Sequence, residues 1–130
     1  MQDTTDQTPY MRLGGASGLQ HLVDRFYALM DELPEAYHVR QMHPESLEGS
    51  ATSLFEFLSG WLGGPSLYIA KKGHPRLRMR HAPYAVDAAA RDEWMLCMVQ
   101  ALTEQVADTQ LRAQLIQVFA QMADHMVNTD

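Results

Sequence analysis

Gly73-His74-Pro75-Arg76-Leu77-Arg78-Met79-Arg80-His81-Ala82-Pro83-Tyr84 holds three arginines, two of the chain's six histidines and two of its six prolines. Pro75 suits the first turn of a helix, because its missing N–H is one that a helix leaves unpaired anyway. Pro83 pushes Ala82 out of the α region and ends that helix. His81 then falls in the last turn, on the same face as Leu77, so an imidazole points where an apolar side chain points. Arg76, Arg78 and Arg80 surround it as a cationic rim. This combination suits a flat apolar ligand with a metal at its centre and carboxylates at its edge, a description that haem meets. The same residues also have a plainer account: a histidine at a helix C-terminus interacts well with the macrodipole, and an arginine-rich turn is commonly a solvated face.

Composition narrows the setting. A chain of 130 residues is one domain's worth and can bury roughly two-thirds of the surface that it exposes when unfolded. Hydrophobic residues at 46% with 20% charged residues describe a globular protein, and no apolar run approaches the ~20 residues needed to span a bilayer. The first residues lack the basic start and apolar stretch of a secretory signal, so a cytoplasmic location is expected. Cys97 is the only cysteine and cannot form an internal disulfide, which fits a reducing compartment. A net charge of −6 argues against a nucleic-acid partner, and the local basic cluster matches a few carboxylates better.

Periodicity orders the rest. Residues 1–12 are expected as a flexible N-terminal tail and residues 13–130 as a single domain. Leu19, Leu22, Val23, Phe26, Tyr27, Met30 and Leu33 recur at three- and four-residue steps, predicting a core helix that ends at Pro34. Tyr27 lies in that stripe, so its hydroxyl goes inward and needs a partner, ordinarily a backbone carbonyl. Between Pro34 and Pro44 there is room for a short helical turn at most. His38 and His43 there are not at a metal-chelating spacing, so zinc is not expected. A helix is expected from Pro44, with Glu45 and Glu48 in its first turn. Leu47, Ala51, Leu54, Leu58 and Trp61 form its buried stripe, and Gly63-Gly64-Pro65 stops it. Ser50 and Leu54 share its inner side, with Phe57 and Trp61 in the core or at a ligand's edge. Ser66 to Lys72 looks too short for a full helix. Tyr84 and Val86 come next, then Asp87 as N-cap of a long helix to about Asp108, with Trp94, Met98, Ala101 and Leu102 on one side. Leu111, Leu115, Val118, Phe119, Met122 and Met126 mark a last helix, beside which His125 reads as structural. No strand alternation appears, which predicts an all-α fold of four main helices.

Gly63-Gly64-Pro65, Tyr68, the unbroken run from Gly73 to Tyr84, Arg91-Asp92 and Trp94 closely resemble the central segment of the group II truncated haemoglobins, with a weaker match over about Leu13 to Val127. The resemblance implies a truncated globin fold, a two-over-two helical sandwich around haem b. It makes His81 the iron ligand, and Arg80 the first candidate for a haem propionate, with Tyr68, Lys71 and Lys72 also in reach. Leu54, Trp61, Tyr84 and Val86 would pack on the haem. On the distal side it implies Tyr27 and Trp94 as donors to the ligand, His43 at the junction of the family's C and E helices, and Ser50, where globins often carry a histidine. The implied ligands are dioxygen and other small diatomics. With two or three donors present, redox chemistry on the bound ligand is expected over transport: nitric oxide oxidation or peroxide reduction, as a haem-dependent nitric oxide dioxygenase or a peroxidase-like enzyme. A reductase would then be a partner, no nucleic acid or membrane is expected, and the state is monomer or weak homodimer. The alternative is a cofactor-free helical protein-interaction module whose nine methionines form an adaptable surface.

Overall fold

The computed structural model describes residues 7–74, 76, 79, 81 and 85–129. Among the described residues there is no strand. The helices are α1 (Pro9–Arg12), α2 (Gly15–Glu32), a 3₁₀ turn (Pro34–Ala36) leading into α3 (Tyr37–Gln41), α4 (Glu48–Trp61), α5 (Leu67–Lys72), α6 (Ala88–Gln105) and α7 (Thr109–Met126). Met79 and His81 also have helical backbone.

Local chemistry explains the boundaries. The stripe Leu19, Leu22, Val23, Phe26, Tyr27 and Met30 is buried, and Leu33 takes the extended backbone required before Pro34, ending α2. Asp87 and Asp108 start the two long C-terminal helices. Their Oδ1 atoms accept the N–H of Ala90 at 2.8 Å and of Leu111 at 3.0 Å, and these backbone bonds hold both carboxyls below the ordinary carboxylate range.

α2 packs against both α4 and α6, and α6 packs against α7. α6 therefore buries more than one side, with Cys97, Met98, Ala101 and Leu102 fully enclosed. Aromatic rings tie the layers together. Phe26 meets Trp94 at a centroid distance of 4.9 Å, and Phe119 meets Trp61 at 5.4 Å and Trp94 at 6.1 Å. Phe26 and Phe119, both fully enclosed, each contribute about 1.5–3 kcal/mol. Gly18 permits the closest approach, since a Cβ there would collide with the Leu13 carbonyl oxygen.

Several boundaries depart from the sequence expectation. The segment read as a tail is built into the domain from Thr8. Thr8 Oγ1 caps α1 by accepting from Met11 N–H, Tyr10 N–H donates to the Leu62 carbonyl at 3.0 Å, and Arg12 pairs with Asp108 at 2.9 Å. A four-residue helix is too short to show periodicity. α4 starts at Glu48, four residues after Pro44. Ser66 to Lys72, read as a connecting turn, contains α5. Trp61, expected in a buried stripe, is 40% exposed because it sits on the last turn of α4, stacked on Phe57 at 6.0 Å. Pro75, Leu77, Arg78 and Arg80 of the opening stretch lie outside the described residues.

Candidate functional site

A cavity of about 480 Å³ opens between the layers. Tyr27 reaches it from α2, His43 from the turn after α3, Ser50, Leu54 and Phe57 from α4, Tyr68 from α5 and Trp94 from α6. His81 and Val86 line it from the segment between α5 and α6, and Met122 and Met126 from α7. The wall is largely apolar, so its few polar atoms stand out.

Tyr27 is 8% exposed, and its hydroxyl donates to the Ser50 carbonyl at 3.3 Å. Burial pushes the phenol well above its ordinary value, so it stays protonated and a donor. The Ser50 carbonyl thus turns Tyr27 along the cavity wall, a partner that stripe periodicity could not identify. His43 contacts the Val39 carbonyl through Nδ1 at 2.9 Å. Burial lowers its pKa from 6.5, against the opposing effect of the hydrogen bond to the Val39 carbonyl. The neutral ring then carries its hydrogen on Nδ1, since a carbonyl can only accept, and Nε2 keeps its lone pair. His43 is therefore an acceptor at neutral pH where the sequence suggested a further donor. Its ring lies 6.0 Å from that of Tyr27, near perpendicular. Trp94 packs edge-on against Phe26 with its indole at the cavity wall.

Cations mark the cavity's rim. Lys72 Nζ lies 3.0 Å from Ser53 Oγ and 5.0 Å above the Tyr68 ring, both residues being cavity lining. Lys71, the next residue, turns away to pair with Glu56 at 3.3 Å. Arg91, on the wall one turn before Trp94, is held by Asp92 at 3.1 Å and Asp124 at 2.7 Å. The hydrogen bonds that it donates to those two carboxylates raise its pKa.

Of the residues expected at the site, His81, Tyr68, Leu54, Val86, Tyr27, His43, Ser50 and Trp94 line this one cavity. Trp61 does not; it reaches the site only through Phe57. Arg80 and Tyr84 lie outside the described residues. Sequence reading passed over Arg91, Met122 and Met126 as lining. Met122 and Met126 were legible as one inward stripe, but a stripe does not reveal whether it faces protein or a cavity.

The donor set limits what can bind. Among the described residues no three of His, Cys, Asp and Glu gather as a metal site, so the two imidazoles of the cavity, His43 and His81, suit a metal that arrives with its other ligands. The volume lies within the range of about 300–1,000 Å³ usual for cofactor pockets. An apolar wall, two imidazoles and cations at the rim fit a haem in size and chemistry.

Comparison with known proteins agrees. The bacterial-like globin family model matches residues 8–128. Group 2 truncated hemoglobin YjbI of Bacillus subtilis (strain 168) is 34% identical over 120 residues, covering 92% of this chain and 88% of the relative. The cold-adapted truncated hemoglobin of the Antarctic marine bacterium Pseudoalteromonas haloplanktis TAC125 superposes with a TM-score of 0.94 at 46% identity, over 95% of this chain and 100% of that one. The group II 2-on-2 hemoglobin of the plant pathogen Agrobacterium tumefaciens does so with a TM-score of 0.94 at 41% identity, over 100% of both chains.

Proposed function

We propose a function from the premise that this chain belongs to the bacterial-like globin family, as a group II truncated haemoglobin with the two-over-two fold: it holds haem b through His81 and binds dioxygen and other small diatomic ligands for redox chemistry. One observation carries this reading. His81, Tyr27, His43 and Trp94, from four separate parts of the chain, line the same apolar cavity.

Haem, when bound, would supply an iron able to take a small diatomic ligand. His81 would be the protein's ligand to that iron. Lys72, poised over Tyr68, and Arg91 are the described cations placed to hold the propionates; the resemblance adds Arg80 to them. Tyr27 and Trp94 supply O–H and N–H donors that favour a ligand carrying negative charge. Donors of this kind, each worth roughly 1.5–3 kcal/mol to a charged acceptor, retain dioxygen and slow its release. His43 Nε2 can take a proton from an entering hydroperoxide and return it, a capacity that transport does not need. Slow release and a nearby base support nitric oxide oxidation or peroxide reduction over delivery of dioxygen.

Stopped-flow mixing of dioxygen-loaded protein with nitric oxide tests this. The expected result is that nitric oxide is consumed to nitrate far faster than dioxygen dissociates, and that hydrogen peroxide reacts more slowly in His43→Leu. Dioxygen release faster than nitric oxide consumption, with peroxide reactivity untouched by His43→Leu, would return the protein to transport.

A further inference from the structure

Asn128 follows the last turn of α7 by two residues and bonds to two backbone sites on the far side of the chain. Its N–H donates to the Val86 carbonyl at 2.9 Å, its Oδ1 accepts the Val86 N–H at 2.9 Å, and its Nδ2 donates to the His81 carbonyl at 3.3 Å. Thr129 N–H adds a bond to the Val86 carbonyl at 3.3 Å. His81 and Val86 both line the cavity, as does Met126 at the end of α7. One side chain and its own peptide thus stitch the His81 segment to the last helix, across 47 and 42 residues of sequence.

The chemistry explains why an amide stands here. The Val86 N–H is a donor and the His81 carbonyl an acceptor, and the Asn128 side chain meets both. Asn presents both on a single short planar group; Asp supplies the acceptor alone, and Ala neither. Holding a peptide carbonyl fixes the orientation of that peptide, and with it the direction in which the attached side chain leaves the backbone.

We infer that Asn128 is a positioning residue for His81: by clamping the His81 carbonyl and both polar groups of the Val86 peptide to the end of α7, it sets the angle at which the imidazole enters the cavity. The inference rests on the reading of His81 as the iron ligand. It assigns a role to a segment after the last helix that neither apolar periodicity nor cavity lining marks out.

The test uses the full-length haem-loaded protein with Asn128→Asp, which keeps the Val86 link and removes the donor to His81, and Asn128→Ala, which removes both. Circular dichroism of the haem-free forms reports folding separately. The expected result is a Soret band in both variants, haem transfer to an excess of haem-free acceptor quickened about two- to tenfold, the worth of one net hydrogen bond, and a shifted iron–histidine stretching band in the resonance Raman spectrum of the ferrous form. An unmoved band with unchanged haem loss in both variants, alongside a His81→Gly protein that loses the band, overturns the clamp alone. A His81→Gly protein that retains the band overturns the ligand assignment and the clamp together.

Discussion

The Tyr27 hydroxyl already has an acceptor in the Ser50 carbonyl, and at 3.3 Å that bond is long. Turning to a ligand exchanges one acceptor for another, so Tyr27 contributes less than a donor with no competing bond. Tyr27→Phe is expected to speed dioxygen release by about tenfold and Trp94→Phe by up to roughly 150-fold, the span set by a hydrogen bond to a charged acceptor; laser photolysis with dioxygen and carbon monoxide competition measures both. His43 makes a different prediction, for the haem-free protein. Its folded pKa lies below 6.5 because burial disfavours the charged ring. Between the lowered value and 6.5 the unfolded chain binds more protons than the folded one, so stability rises with pH across that window and falls on acidification. His43→Gln is expected to flatten the dependence of urea midpoint on pH from about 7 down to 5, and an unchanged slope would mean that another group carries it. The inward direction of Tyr27 and Trp94 was legible from their stripes. The Nδ1 bond of His43 to Val39 was not, because it depends on how a five-residue helix ends.

At the scale of elements, α5 shows how two adjacent lysines acquire different roles. A rotation of about 100° per residue sends Lys71 to Glu56 and Lys72 to Ser53 at the cavity rim. Lys72→Glu is accordingly expected to hasten haem transfer to an acceptor severalfold, and Lys71→Glu to leave it near the native rate; equal effects would show general charge, not position, at work. The junction of α1 and α2 rests on Gly18, where a side chain meets the Leu13 carbonyl. Gly18→Ala should cost about 1–3 kcal/mol in urea unfolding, as overpacking does, against the modest gain that alanine ordinarily brings inside a helix. Helices of eighteen residues, α2, α6 and α7, were legible because their stripes repeat over several turns. α1 and α5, at four and six residues, show no repeat; packing and caps define them, and neither leaves a periodic signal.

For the whole molecule, apolar stripes told which faces turn inward without telling what they meet. Leu54 and Trp61 belong to one expected stripe on α4, yet Leu54 lines the cavity while Trp61 sits half-exposed at the helix end against Phe57 and Phe119. Periodicity also could not arrange the helices in pairs, and the resemblance carried by the Gly73–Tyr84 run supplied that arrangement. Asn128, after the last stripe, had no signal at all. The claim on which the rest depends is that one imidazole, His81, holds the iron within this cavity, and the direct measurement is haem titration of native and His81→Gly proteins, followed by absorption and resonance Raman spectroscopy of the ferrous forms. The expected result is one haem per native chain with an iron–histidine band, and loss of both stable uptake and that band in His81→Gly, restored by added imidazole. A His81→Gly protein with native haem uptake and an unaltered iron–histidine band in the absence of imidazole would contradict it.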